Sequence, residues 1–154
     1  MSVAFRRESD EEHKEPRFEL PIPSGPNLVT QNGLAAITAQ LAAIDAQVAI
    51  ATDDEQRLAL KREYRYWSTR QSTAQVAPLA KGDEVAFGCR VTYRLAGTTK
   101  VIAIVGGDEA DPSAGRIAFT APLVVAMLGA AAGEFCDFAG TERAIEVVTV
   151  EAMA

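Results

Sequence analysis

At 154 residues with 48% hydrophobic content, the chain is long enough for one domain or two small ones. Its net charge of −6 argues against a protein held mainly on nucleic-acid phosphates, because that binding sums many Lys and Arg contacts. No run approaches the roughly 18 consecutive apolar residues of a bilayer span, and Met1–Asp10 lacks the apolar stretch of a secretory signal; the expectation is a cytoplasmic protein with no membrane partner. Cys89 and Cys136 are too few for a disulfide framework and lack zinc spacing, so both read as reduced residues in or near a core.

Residues 1–29 read as a disordered or extended tail. Arg6, Arg7, Glu8, Asp10, Glu11, Glu12, His13, Lys14, Glu15 and Arg17 crowd together with little apolar surface to offset the entropy of ordering. Pro16, Pro21, Pro23 and Pro26 then favour an extended path on which Phe18, Leu20 and Ile22 can lie against something. His13 is the single histidine and has no cysteine close in sequence, which disfavours a metal site there.

Residues 30–77 read as a helical hairpin, an antiparallel coiled coil. Leu34, Ile37, Leu41, Ile44 and Val48 recur at alternating spacings of three and four, the seam of a helix packed along another. Thr52 followed by Glu55 has the spacing of a capping box and predicts a turn and a new helix start. Leu60, Tyr64, Trp67, Gln71 and Ala74 then predict the returning stripe, which Pro78 ends. Each arm of about 20 residues would reach about 30 Å.

The returning helix carries Arg57, Lys61, Arg62, Arg65 and Arg70; Arg57, Lys61 and Arg65, four apart, share one face. Such a stripe fits phosphates or an acidic protein wall, and equally an ordinary solvated face. Tyr64 and Trp67 fit the seam, leaving Tyr66 without an assigned place. At the turn, Asp53, Asp54 and Glu55 have the hard oxygen ligands Mg²⁺ prefers, but equally suit a helix N-terminus, where each acid stabilises by about 0.3–1 kcal/mol.

Residues 78–154 change period. Val85, Phe87, Cys89, Val91, Tyr93 and Leu95 alternate as a strand does, and Ala96-Gly97-Thr98 leads to a partner over Lys100–Val105. The Gly-, Asp- and Pro-rich loop 106–115 precedes a short strand over Arg116–Thr120. Pro122 starts a short helix through about Leu128, and Phe135–Phe138 and Arg143–Val150 pair around Ala139-Gly140-Thr141. The class predicted is α+β: the helical hairpin followed by an antiparallel sheet with one short helix.

Ile104-Val105-Gly106-Gly107-Asp108-Glu109-Ala110-Asp111-Pro112, Gly115-Arg116-Ile117, Ala121-Pro122-Leu123, Ala126-Met127-Leu128-Gly129 and Gly133-Glu134 closely resemble the C-terminal domain of the Gre transcript-cleavage factors, GreA/GreB. The resemblance covers about residues 79–151, extends to the hairpin by architecture, and is absent over residues 1–29. It implies an FKBP-like sheet domain that docks on RNA polymerase while the hairpin enters the secondary channel. Tip acids in that family help hold Mg²⁺ in the polymerase active centre, where water cuts backtracked RNA. On that resemblance Asp53, Asp54 and Glu55 are the Mg²⁺-assisting candidates and Arg57, Lys61 and Arg65 line the channel. Asp108, Glu109, Asp111, Pro112, Pro122, Leu123, Met127 and Leu128 become candidates for docking.

The chain departs from the family pattern at three places. The family tip carries an acid, two residues and Glu-Asn, whereas this turn reads Thr52-Asp53-Asp54-Glu55-Gln56. The arms are shorter by several turns, as in the Rnk-type relatives, which resemble polymerase binders without cleavage activity. Gly129-Ala130-Ala131 stands where the family has lysines. The expectation is therefore a monomeric polymerase-binding elongation regulator, not itself an enzyme and with no cofactor of its own, meeting nucleic acid only inside the elongation complex. It either stimulates cleavage or occupies the channel without it. The loop of Gly106, Gly107, Asp108, Asp111 and Pro112 can serve docking or be turn architecture alone. An interaction module unrelated to polymerase is the further alternative, and an FKBP-like fold does not by itself make a prolyl isomerase.

Overall fold

The computed structural model describes residues 19–78 and 80–153; the tail expected over residues 1–18, with His13, lies outside them. Two 20-residue helices, α1 (Gln31–Ile50) and α2 (Asp54–Thr73), form the hairpin. Thr30 caps α1, its Oγ1 accepting from Gly33 N at 2.9 Å. Ile37, Leu41 and Ile44 are buried as the seam requires, while Leu34 and Val48 are half-buried.

The cap of α2 is Asp53, not Thr52: its Oδ1 accepts from Glu55 N at 3.3 Å. The one-residue shift moves Glu55 to the second helical position, so no capping box forms. It also leaves both Asp54 and Glu55 in the first turn, where the positive end of the helix dipole favours acids.

The inner face of α2 also differs from the sequence reading. Tyr64 is 37% exposed and Gln71 is exposed, whereas Leu60 and Arg70 are buried and Glu63 and Trp67 half-buried. The seam runs through positions 60, 63, 67 and 70, with two charged residues in it. Leu60 and Trp67 pack on Ile44, Val48 and Ala51 of the other arm.

Six polar residues interrupt α1, which hides how apolar it is: an 18-residue window has mean hydropathy 1.5, enough by length and composition to cross a membrane, with 22% of it buried. In the hairpin α1 packs along α2, and Ala35, Ala36, Ala39, Ala43 and Ala46 lie on its exposed side.

The hairpin is rooted by two short parallel strands, β1 (Leu28–Val29) before α1 and β2 (Gln75–Val76) after α2. Asn27–Val29, which composition assigned to the tail, thus belongs to the root, and Asn27 and Val29 are buried. Pairing β1 in parallel with β2 makes the incoming chain follow the direction of α2 and reverse at Thr30.

The second unit is a five-stranded sheet in the order β5-β4-β3-β7-β6, built from β3 (Cys89–Leu95), β4 (Thr98–Val105), β5 (Arg116–Ala118), β6 (Phe135–Phe138) and β7 (Thr141–Ala152). The predicted hairpin followed by a sheet domain with one short helix is the fold observed, but the sheet is mixed rather than wholly antiparallel. β5 lies parallel to β4 with Ala103 opposite Arg116, because loop 106–115 carries the chain back across before the new strand begins, as a parallel pair requires.

Cys89, Val91 and Tyr93 point inward from β3 and Arg90 and Arg94 outward. Val85 and Phe87 precede the strand; Val85 is nevertheless buried, bonded to Ala130 O at 2.8 Å and accepting from Gly129 N at 2.8 Å. The helix α3 (Pro122–Met127) closes the core by burying Val124 and Met127 against the sheet. The cysteines are free, Cys89 buried and Cys136 half-buried.

Candidate functional site: the two ends of the rod

Asp53, Asp54 and Glu55 are all exposed at the tip. Asp53 is engaged in the helix cap, and Asp54 Oδ1 lies 3.1 Å from Arg57 Nη1. Arg57 also donates through Nη2 to Ala51 O at 2.6 Å, tying the turn across itself. Among the described residues no group of three or more His, Cys, Asp or Glu side chains is placed to hold a metal ion. Ile50, 79% exposed, and Leu58 add apolar surface beside the acids.

The three basic candidates are not equivalent. Arg57 is held by the turn. Lys61 is exposed and has no side-chain hydrogen bond or ion pair among the described residues. Arg65 is forked by Glu19, Nε at 3.1 Å from both carboxylate oxygens and Nη2 at 2.5 Å from Oε1. That fork holds the Glu19 carboxyl below its ordinary range.

The root is built differently. Asp108, between the paired glycines and the turn, accepts from Tyr66 Oη at 2.6 Å on one oxygen and from Arg70 Nε at 2.6 Å on the other. Arg70 Nη2 donates to Asn27 Oδ1 at 2.8 Å, and Asn27 Nδ2 donates to Arg70 O at 2.8 Å and Thr73 Oγ1 at 3.1 Å. The Arg70 and Asp108 side chains are 6% and 10% exposed, so this ion pair is shielded from water. Burial first, then the hydrogen bond to Asp108, pushes the Tyr66 phenol up to about 12.

Glu109 accepts from Thr30 Oγ1 at 2.5 Å, bonding the sheet domain to the α1 cap. Gly106 is required here: a Cβ would lie 2.3 Å from Leu28 O. Behind the clasp Arg116 donates Nε to Glu109 O at 3.1 Å, and its Nη2 lies 3.5 Å from Asp111 Oδ2. Asp111 also accepts from Ser113 Oγ at 2.6 Å, the main reason its carboxyl sits below the ordinary range.

The docking candidates thus separate. Asp108 and Glu109 face the hairpin, and Met127 is in the core. Pro112 and Pro122 are exposed, Asp111 and Leu123 half-buried, and Leu128 is 47% exposed. Exposed Val125, which the sequence reading left out, lies one helical turn before Leu128; Phe135 on β6 is exposed as well, with the Arg143 guanidinium 4.2 Å from its ring centre. Sequence reasoning also missed Asn27, Tyr66 and Arg70 as the makers of the joint; the paired glycines of the loop were the available signal.

A helical rod clasped to a small mixed-sheet domain defines the class: a projecting hairpin whose base is fixed to a separate globular unit. Residues 79–152 match the family described as transcription elongation factor, GreA/GreB, C-terminal, a little under half of the chain. The chain is 39% identical over 74 residues to transcription elongation factor GreA of Desulfovibrio desulfuricans, covering 46% of each chain. It is 36% identical over 83 residues to GreA of Allorhizobium ampelinum, covering 50% of this chain and 52% of that one. The chain therefore spans about half the length of the curated relatives it matches. Among solved structures, it is similar to Gfh1 of Thermus thermophilus at 18% identity and a TM-score of 0.37, over 83% of this chain and 100% of that one. GreA/GreB from Nitrosomonas europaea gives 15% identity and a TM-score of 0.39, over 83% and 99%.

Proposed function

We propose that this protein is a cytoplasmic, monomeric transcription elongation factor of the Gre type, which binds RNA polymerase through its sheet domain and inserts the hairpin into the secondary channel. The observation that supports this reading is a GreA/GreB C-terminal domain over residues 79–152 clasped to a hairpin that ends in exposed acids. The exposed apolar pair Val125 and Leu128 is the docking face, and Lys61 with the neighbouring Arg57 and Arg65 lines the channel.

The tip favours occupation of the channel over stimulation of cleavage. Asp53 is engaged as a cap and Asp54 by Arg57, leaving Glu55 as the acid without a side-chain partner among the described residues. Arms of 20 residues reach about 30 Å. Mg²⁺ needs oxygen ligands at about 2.0–2.1 Å, so a rod that stops short has no graded effect. The polymerase carries out any RNA cleavage; this chain is not itself the enzyme.

Purified backtracked elongation complexes with Mg²⁺ test this reading. The expected outcome is no shortening of the transcript by this protein alone, and inhibition of cleavage by an added Gre factor. Transcript shortening that disappears in the Asp53→Ala/Asp54→Ala/Glu55→Ala protein would replace channel occupation with active cleavage stimulation. A pull-down with core polymerase comes first: no binding at micromolar concentration overturns the polymerase reading altogether.

A further inference from the structure

Between the hairpin root and the outer face of the sheet lies a cleft of about 910 Å³ that none of the roles above uses. A row of paired residues crosses its floor on three strands: Arg90 on β3 opposite Ala103 on β4, and Ala103 opposite Arg116 on β5. Cross-strand partners share a face, and two strand steps place the arginine backbones about 10 Å apart. The small Ala103 leaves the space between them open.

Both arginines line the cleft. Arg116 is fixed in place by Glu109 O and Asp111, with Nη1 unpartnered among the described residues. Arg90 is exposed and makes no side-chain hydrogen bond or ion pair among the described residues. Glu151 stands opposite Arg90 on β7, yet no ion pair joins them. The Glu109 carboxylate, also at the cleft, is bonded to Thr30. Phe87, Val101 and Met153 supply apolar wall, and Val101 is 53% exposed.

We propose that this cleft binds a small phosphorylated molecule with an aromatic body, a nucleotide in chemical class, its phosphate held between Arg90 and Arg116 above Ala103. A carboxylate is filled by one guanidinium fork, whereas a phosphate offers enough oxygens for two at once. The volume lies within the range of about 300–1,000 Å³ typical of small-molecule sites, far more than a bare phosphate needs. The body rests on Phe87, Val101 and Met153. The site is independent of the polymerase reading and stands or falls separately from it.

The test is a titration of the full chain, labelled with ¹⁵N, by ATP, inorganic pyrophosphate and adenosine in parallel. ATP is expected to shift the amide signals of Arg90, Ala103 and Arg116 saturably, with a Kd below about 1 mM. Pyrophosphate binds the same residues more weakly, and adenosine more weakly still. Arg90→Ala, an exposed change that leaves the fold intact, weakens ATP at least about tenfold, the scale of one charge-assisted contact. Ala103→Leu fills the gap and also weakens binding. Absence of saturation at about 5 mM ATP, an unchanged Kd in Arg90→Ala, or shifts centred on Arg57, Lys61 and Arg65 would each overturn the proposal.

Discussion

The two ends of the hairpin carry similar charges, and use them in opposite ways. At the tip, exposed carboxylates and one half-buried arginine pair with neighbours a few residues away and hold only the turn itself. At the root, a carboxylate and an arginine 38 residues apart meet out of water and fasten the rod to the sheet domain. Exposed pairs contribute about 0–1 kcal/mol, while breaking a buried pair costs about 3–5 kcal/mol. The strength of the structure is concentrated where the rod's direction is set, and the tip is left open.

The largest effect is therefore expected at the root. Asp108→Ala strands the Arg70 guanidinium and the Tyr66 hydroxyl in a dry joint and should destabilise by about 3–5 kcal/mol in chemical denaturation. A loss as small as that of Asp53→Ala would erase the contrast between the two ends. Gly106→Ala follows, because its methyl would press on the Leu28 carbonyl oxygen at 2.3 Å; overpacking of this kind costs about 1–3 kcal/mol.

Alkaline pH sharpens the comparison from another side. The Tyr66 phenol keeps its proton in the folded protein up to about pH 12 rather than its ordinary 10. Its contribution is fully present below pH 10 and is lost as pH rises toward 12. Stability should fall across that window, and Tyr66→Phe should remove this component of the slope. At the tip, Asp53→Ala should cost only about 1 kcal/mol, the usual value of a helix cap.

The smallest effect lies away from both ends, in the two Ala-Gly turns of the sheet. Ala96 and Gly97 have φ of 52° and 79°, and Ala139 and Gly140 have 52° and 81°. Asparagine suits the first position of such a turn better than alanine, so Ala96→Asn should raise stability by about 0.5–1 kcal/mol. A thermal melt that does not rise would show that strain in this turn is relieved elsewhere.

Much of this architecture was legible because it rests on local rules. The three-and-four spacing from Leu34 to Val48 located α1, and alternation from Val85 to Leu95 located β3, although the strand itself begins only at Cys89. The seam of α2 was misread because counting apolar residues selects Tyr64 and Gln71, whereas the folded chain buries Arg70 and half-buries Glu63. Arg70 tolerates burial only because Asp108 and Asn27 surround it, and no pattern within the helix announces partners so distant in sequence. The same distance in sequence hides the bonds of Asp108 and Glu109, which the resemblance made docking candidates. Their partners, Tyr66, Arg70 and Thr30, belong to the hairpin, and the mixed sheet likewise depended on how loop 106–115 crosses.

The pairing of Leu28 with Gln75 and Val29 with Val76 places the two feet of the rod side by side. Everything beyond them is an insert whose size the base does not sense. Seven residues added to or taken from each arm would change the reach by about 10 Å while keeping the seam in phase. A lineage with such a base can lengthen or shorten its rod by whole heptads, without redesigning the mount that sets its direction.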